Sequence, residues 1–118
     1  MQKYDFHVTL EAINDLADMS DYVEKQFGVE RADEARAEIS AQLQLIYEFP
    51  FAWADTEIPY RGYSIRKKVF SPSLILYTVN EGLDAIFILR ILRQETDWKY
   101  IMLRDQIYHY SDGSSIEE

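Results

Sequence analysis

Cysteine is absent from the sequence, and histidine occurs only twice. The lack of cysteine excludes disulfide bonds and zinc sites built from thiolates, and it leaves the redox compartment open. Glycine and proline are also scarce, with four and three residues, and the glycines stand where breaks between helices or strands are expected. There are no repeats and no low-complexity runs, so residues 1–118 are expected to form a single domain.

Long apolar runs are missing as well. No segment approaches the roughly 20 apolar residues of a membrane-spanning helix, and the first residues lack the apolar stretch of a signal peptide. A cytoplasmic protein without membrane contact is therefore expected. The composition, 47% hydrophobic and 14% aromatic, is sufficient for a packed core. Residues 111–118 are polar and are predicted to form a disordered tail.

Positive charge is scarce overall but concentrated in one part of the chain. The formal net charge is −9, which by itself argues against binding to nucleic acid through phosphate contacts. Residues 1–60 contain 4 basic and 13 acidic side chains, whereas residues 61–104 contain 8 basic and 4 acidic side chains. This asymmetry is compatible with an anionic partner and equally with ordinary solvated surfaces of both signs.

Hydrophobic periodicity predicts a strand and two helices in the first half. Residues 3–10 alternate between apolar and polar side chains, as in a half-buried strand. Thr9 is a suitable N-cap for a first helix that ends at Gly28, and a second helix follows and ends at Pro50. The short glycine link predicts an antiparallel αα-hairpin. The polar face of the first helix is predicted to carry these acidic residues: Asp15, Asp18, Asp21 and Glu24.

The second half of the chain contains strand patterns and a short helical pattern. The predicted elements are a loop at residues 50–60, strands at residues 63–70, 73–79 and 85–92, and a short helix from Glu95 to about Ile107. The last two strands are apolar on both faces, as in the centre of a sheet. The order β-α-α-β-β-β predicts an α+β fold, with the helical hairpin packed on one face of a small, mainly antiparallel sheet. The first strand is expected at the edge of this sheet or beside the last strand.

Motifs for phosphate-binding loops, nucleophilic serines and zinc-binding histidine pairs are absent. His7 lies on the polar side of the first strand and His109 lies near the C-terminus, so both side chains are expected at the surface. No metal site and no cofactor are predicted.

Basic residues within the strands are the main candidates for function. Arg66 and Lys68 are expected to share the solvent-facing side of their strand. Two cations on one sheet face could bind a phosphate and stabilise charge that develops on it, whereas exposed charge on a strand also protects against aggregation. Arg90 could join this layer. Alternatively, it could form a buried ion pair with Glu95, Asp97 or an acidic residue of a helix.

Arg93 and Tyr100 follow the last strand. An arginine and a tyrosine at the rim of a basic sheet could contact a backbone phosphate and stack on a base. Tyr100 could instead pack the C-terminal helix onto the sheet, which is the expected role of Trp98. The sequence leaves both roles open for Tyr100.

Five segments between Tyr4 and Trp98 stand in a recognisable order: YDFHVTLEAINDL, DYVEKQFG, LIYEFP, SIRKKVFSPSLILYTV and IFILRILRQETDW. Together they resemble the RelE/ParE superfamily, the toxins of type II toxin–antitoxin modules. The resemblance implies the α+β fold given above. It also implies one of two activities, because one branch of the superfamily cuts messenger RNA in the ribosome without a metal and another poisons DNA gyrase.

For RNA cleavage, the resemblance implies a catalytic set by position: Arg66, Lys68, Arg93 and Tyr100. The sequence departs from the RNA-cutting branch at Leu74, where that branch has an arginine, and at Glu95 and Thr96, where many members have basic residues. The expected function is therefore a toxin that inhibits growth by a ParE-like, gyrase-directed interaction or by a RelE-like mechanism. The alternatives are a metal-independent, ribosome-dependent mRNA endoribonuclease and a non-toxic relic that still binds an antitoxin.

An antitoxin protein is the partner that the resemblance implies. Its expected docking surfaces are the groove between the helical hairpin and the sheet and the basic rim of the sheet. The charge distribution predicts basic antitoxin residues opposite Asp15, Asp18 and Glu34. It predicts acidic antitoxin residues opposite Arg66 and Arg93.

Overall fold

A five-stranded sheet with helices on both faces forms the body of the protein. The computed structural model of the chain describes residues 4–110, and the predicted tail at 111–118 lies outside the described residues. In chain order the elements are β1 (Asp5–Val8), α1 (Leu10–Phe27), α2 (Val29–Glu48), β2 (Ala54–Tyr60), β3 (Tyr63–Phe70), β4 (Ser73–Asn80), β5 (Ala85–Arg93) and α3 (Trp98–Arg104). This arrangement confirms the predicted α+β class. Within residues 4–110, none of the helices has the length and apolar character needed to cross a bilayer.

The strand order in the sheet is β1-β5-β4-β3-β2. β1 lies at one edge beside β5, as the sequence predicts. It runs parallel to β5, and all other neighbours are antiparallel. The prediction of a loop at residues 50–60 is partly wrong, because residues 54–60 form β2 at the other edge of the sheet. The pattern of β2 is obscured by a register shift between Asp55 and Pro59, where Glu57 adopts a positive φ of 64°. Proline is tolerated there because an edge strand has one unpaired side.

Two apolar clusters occupy the two faces of the sheet. The hairpin face is covered by α1 and α2 and includes Ile39, Ile46, Ile75, Tyr77 and Ile88. The opposite face, which we call the α3 face, includes Ile65, Leu76, Phe87, Met102 and Tyr108. All eight residues of β4 are buried, which confirms that the apolar middle strands are central.

The helical hairpin forms as the sequence predicts. Thr9 caps α1, since its side chain accepts a hydrogen bond from the Ala12 N–H at 3.1 Å. Gly28 alone separates the two helices and has a φ of 93°, a conformation that glycine adopts at little cost. Helix α3 is shorter than predicted, because Asp97 caps it and accepts a hydrogen bond from the Tyr100 N–H at 3.3 Å.

Strand β5 extends beyond β1 and leaves an open backbone edge. The last β1–β5 pair is Val8 with Ile88, so the next backbone groups of β5 have no strand neighbour on this side. The start of α1 fills the gap. The Thr9 hydroxyl donates to the Leu89 carbonyl at 2.9 Å, and an Asp15 carboxylate oxygen accepts the Ile91 N–H at 3.0 Å.

Arg90 completes this junction between the sheet and α1. Its guanidinium forms two hydrogen bonds with the Asp15 carboxylate, at 2.6 and 2.8 Å, and one with Asp105 at 3.2 Å. The bonds to Asp15 raise the pKa of Arg90. The prediction that Arg90 pairs with an acidic residue of a helix is confirmed. The alternative partners Glu95 and Asp97 are wrong. The predicted exposure of Asp15 is also wrong, since its side chain is only 13% exposed.

The segment at residues 105–110, which we call the strap, returns from α3 to the start of α1. The Leu10 N–H donates to the His109 carbonyl at 2.7 Å, and the His109 N–H donates to Glu11 at 3.0 Å. The His109 Nδ1 atom lies 2.7 Å from the other Glu11 oxygen. His109 is therefore partly exposed but anchored, rather than an unattached surface residue. His7, also expected at the surface, stacks on Phe87 with ring centroids 5.1 Å apart.

The Glu11–His109 contact predicts a loss of stability in acid. Burial raises the pKa of the Glu11 carboxyl, but the hydrogen bonds from His109 outweigh burial and hold it below its ordinary value. A lowered pKa stabilises the folded state at neutral pH, and this contribution disappears as the pH falls through the folded-state pKa. We expect Glu11→Gln to cost about 0.5–1 kcal/mol at pH 7 for this half-exposed pair.

Urea unfolding of the wild type and of Glu11→Gln between pH 7 and pH 3 measures this contribution. The difference between the two proteins should shrink as the pH falls. A difference that stays constant over this range would show that the Glu11 charge does not contribute.

Candidate functional site

Arg66 holds the loop that follows α2. One of its guanidinium N–H groups donates to the Trp53 carbonyl at 2.7 Å, and the guanidinium carbon lies 5.0 Å from the centroid of the Phe51 ring. Arg66 therefore faces the hairpin side of the sheet, and the predicted solvent-facing orientation is wrong. One donor of Arg66 and the face of its guanidinium are thus engaged by the loop after α2.

Lys68 shares the face of Arg66, as strand alternation predicts, but it is buried. Its ammonium donates to the Gln42 side-chain oxygen on α2 and lies 4.5 Å from the Trp53 ring centroid. Burial lowers the pKa of Lys68. The prediction of a solvent-facing lysine is wrong because α2 and the loop after it cover this face of β3. On the other face, Lys67 lies 4.5 Å from the Trp98 ring centroid.

Arg93 and Tyr100 lie apart from this pair. Arg93 ends β5, is largely exposed and forms a salt bridge with Glu95 at 2.6 Å. Its guanidinium lies 5.6 Å from the Tyr22 ring centroid on α1. Tyr100 is exposed on α3, where the Arg104 guanidinium lies 5.3 Å from its ring centroid. Arg93 therefore lies on the hairpin side and Tyr100 on the helix that packs against the opposite face.

The strand register gives the spacing of the basic residues. Lys68 is opposite Ile75, and Ile75 is opposite Ile91, two residues before Arg93. Two strand spacings, about 10 Å, therefore separate the backbones of Lys68 and Ile91, and Arg93 lies about 7 Å further along β5. Leu74, one of the departures from the RNA-cutting pattern, is buried and pairs with Leu92 across the strands. The structure thus does not bring the four candidate residues together at one point.

A groove of about 460 Å³ opens between the helical hairpin and the end of β5. Apolar side chains that line it include Met19, Tyr22, Val23, Phe27 and Ile39. Charged residues of both signs also line it: Asp18, Arg31, Glu38 and Arg93. Tyr22 and Phe27 remain exposed in the groove. They belong to the apolar stripe of α1, so sequence periodicity identifies them but assigns them to the core.

Within residues 4–110, no group of three or more histidine, aspartate or glutamate side chains is arranged to hold a metal ion. The groove and the basic residues of β3 and β5 are therefore the features on which a functional proposal can be based.

Two solved structures share the arrangement of hairpin and sheet. One is from the chromosomal ParDE TA system of P. aeruginosa, with 25% identity, a TM-score of 0.67 and coverage of 79% of this chain and 98% of that chain. The other is the E. coli toxin RelE, a mutant in the free state, with 16% identity, a TM-score of 0.55 and coverage of 86% and 94%. The protein therefore has the fold of these toxin–antitoxin proteins.

Most of the chain matches a model of one protein family. Residues 6–98 match the family model described as ParE toxin of type II toxin-antitoxin system, parDE. The chain therefore belongs to the ParE toxin family. Comparison with curated proteins gives no match.

Proposed function

We propose that this toxin inhibits growth by binding a protein target, with DNA gyrase as the precedent in the family, and that it does not cut RNA. The observation that carries the proposal is the separation of the candidate catalytic residues. General acid–base catalysis requires the participating groups within hydrogen-bond reach of the same substrate atoms. Here Lys68 is engaged with Gln42, and Arg66 is engaged with Trp53.

We further propose that the toxin is cytoplasmic and that an antitoxin inhibits it there. The antitoxin inserts an apolar segment into the groove. The apolar lining and the exposed rings of Tyr22 and Phe27 support this proposal, because such surfaces are typical of helix-binding grooves. The P. aeruginosa relative is described as a ParDE TA system. An antitoxin charge opposite Asp15 is no longer expected, since Asp15 is bound to Arg90. Asp18 and Arg93 remain at the groove for charged partners.

The double variant Arg93→Gln/Tyr100→Phe separates the two mechanisms. Both side chains are exposed, so the fold should persist. If the toxin acts through a binding surface elsewhere, growth inhibition should stay within about twofold of wild type. If these groups perform acid–base or electrostatic catalysis, activity should fall by about 100-fold or more. The measurement is growth after tightly controlled induction in bacteria, with pulse labelling of DNA synthesis and translation.

The matched control is Lys25→Gln, which removes an exposed cation from α1. We expect DNA synthesis to stop before translation in cells that express the wild type, the double variant or the control. Translation that stops first, together with loss of inhibition in the double variant, would contradict the proposal and favour RNA cleavage. Folded wild-type protein that accumulates in growing cells would favour the non-toxic relic.

Co-expression of the antitoxin in the same experiment tests the groove. The antitoxin should restore growth in cells that express the wild-type toxin. Tyr22→Asp places a carboxylate in the apolar groove, so it should remove this rescue while toxicity remains. Full rescue of Tyr22→Asp would show that the antitoxin binds elsewhere.

A further inference from the structure

Two lysines from different elements lie against one aromatic ring on the α3 face of the sheet. The ammonium of Lys67 in β3 is 4.5 Å from the ring centroid of Trp98, and the ammonium of Lys99 in α3 is 5.6 Å from the same centroid. We call these three residues the lysine cluster. The packing of α3 against the sheet brings the two positive charges together.

Within residues 4–110, neither lysine of the cluster has a carboxylate within salt-bridge distance. The arginines of β5 differ in this respect, because Arg90 is paired with Asp15 and Arg93 with Glu95. Asp97 directly precedes the ring, but its carboxylate caps α3 by accepting a backbone N–H at 3.3 Å. The lysine cluster is therefore a site of positive charge that the described part of the chain leaves uncompensated.

The two charges are close enough to repel each other. Their distances to the shared ring put the ammonium groups no more than about 10 Å apart, roughly the screening length in 0.1 M salt. The face of the ring attracts each cation but does not remove the repulsion between them. An anion that contacts both ammonium groups gains from both charges and relieves this repulsion.

The surroundings favour carboxylates of a protein over phosphates of a nucleic acid. The ring of Trp98 packs against the core of the α3 face and is already contacted by the two lysines, so it is poorly placed to stack on a base. The net charge of −9 also opposes the approach of a nucleic acid backbone. An acidic segment of a protein can instead contact the cluster locally.

Exposed apolar side chains border the lysine cluster on both elements. Val69 is 41% exposed and lies two residues after Lys67, on the same side of β3. Leu103 is 63% exposed and lies four residues after Lys99, on the same side of α3. A complementary partner therefore combines carboxylates with apolar side chains.

We propose that the lysine cluster is the surface with which this toxin contacts its protein target, and that the target presents an acidic segment that also carries apolar side chains. Two carboxylates one helical turn apart, with about 5–6 Å between their Cβ atoms, would fit the two lysines. The inference rests on the proposed function, because it requires that the target be a protein. The groove on the hairpin face of the sheet remains for the antitoxin.

The test is the double variant Lys67→Gln/Lys99→Gln, with Lys25→Gln/Arg93→Gln as the matched control. The control also removes two cations, but from α1 and from the end of β5. We expect the cluster variant to need at least tenfold more protein for equal growth inhibition and to bind purified DNA gyrase holoenzyme at least tenfold more weakly. The control should stay within twofold on both measurements.

Two further variants show that charge is the cause. Lys67→Arg/Lys99→Arg keeps both cations and should stay within about threefold of wild type on both measurements. Melting temperatures verify that the variants fold. Lys99→Gln alone changes an exposed side chain and should weaken both activities at least threefold, so a folding defect in the double variant does not remove the test.

The possible outcomes separate the lysine cluster from the proposed target. Loss of toxicity in the folded cluster variant, with no gyrase binding by the wild type, would support the cluster and reject gyrase. Full toxicity in that variant would overturn the cluster even if the wild type binds gyrase. Binding of a single-stranded oligonucleotide that the cluster variant loses would assign the site to phosphate and also overturn the proposal. A wild type that neither inhibits growth nor binds gyrase would reject both.

Discussion

Arg90→Met should lower the free energy of unfolding by about 3 kcal/mol, because it leaves a largely buried carboxylate without its cation. The Arg90 and Asp15 side chains are 17% and 13% exposed, and their closest atoms are 2.6 Å apart. For a domain of this length the expected fall in melting temperature is about 10–15 °C. The free energy should be measured by urea unfolding at pH 7, and the melting temperature by thermal unfolding.

A second variant identifies the cause of this loss. In Arg90→Met/Asp15→Asn the charge is removed, but the asparagine oxygen can still accept the Ile91 N–H that Asp15 now accepts at 3.0 Å. This variant should recover part of the lost stability. Arg90→Met/Asp15→Leu should recover less, because it leaves the Ile91 N–H without an acceptor.

The control for Arg90 is Arg93→Met on the same strand. Arg93 pairs with Glu95 at the surface, where both side chains are more than half exposed, so its replacement should change stability by less than about 0.5 kcal/mol. Equal effects at Arg90 and Arg93 would contradict the role assigned to the Asp15 contact. So would full stability in Arg90→Met.

The contrast between these two arginines shows what the sequence can predict. The hairpin and the strands from Tyr63 onward are predictable because their apolar periods are local properties of the chain. The partner of Arg90 is 75 residues away in sequence, and no local pattern specifies it. Sequence reasoning therefore identifies a buried ion pair for Arg90 and assigns it to a class of residues, but it cannot select Asp15.

The candidate site was less predictable than the fold for a related reason. Alternation correctly places Arg66 and Lys68 on one side of β3, but it cannot say which helices cover that side. The acidic hairpin covers it, and α3 covers the other. The edge strand β2 is hidden by the positive φ of Glu57 and by Pro59. The groove depends on how the two helices pack against the end of β5, which is a property of the packed structure.

The strap is expected at the surface from the sequence, but it contributes Tyr108 to the core. Tyr108 is fully buried and packs edge-on against Tyr60, with ring centroids 5.5 Å apart. Tyr108→Ala should therefore lower the free energy of unfolding by about 3–5 kcal/mol, the range for removal of a large buried aromatic side chain. Urea unfolding at pH 7 measures the loss. A loss below about 1 kcal/mol would show that the strap is peripheral.

Phenylalanine substitutions show how much of this effect comes from the ring. Burial raises the pKa of Tyr77 to about 12 and raises the pKa of Tyr108 above its usual range, so both hydroxyls are neutral. The Tyr77 hydroxyl donates to the Pro50 carbonyl at 2.7 Å. Within residues 4–110, the acceptor of the Tyr108 hydroxyl is the weakly accepting sulfur of Met102, at 3.9 Å.

Tyr77→Phe should therefore cost about 1–2 kcal/mol, since it leaves a carbonyl group without its donor. Tyr108→Phe should change stability by less than about 0.5 kcal/mol, because it removes little more than a poorly bonded hydroxyl. Equal costs at the two positions would mean that the Tyr77 hydroxyl does not anchor the loop after α2. A larger loss of stability in Tyr77→Phe than in Tyr108→Phe would show that a hydrogen bond anchors the loop after α2. It would also show that apolar packing, rather than its hydroxyl, holds Tyr108 in place.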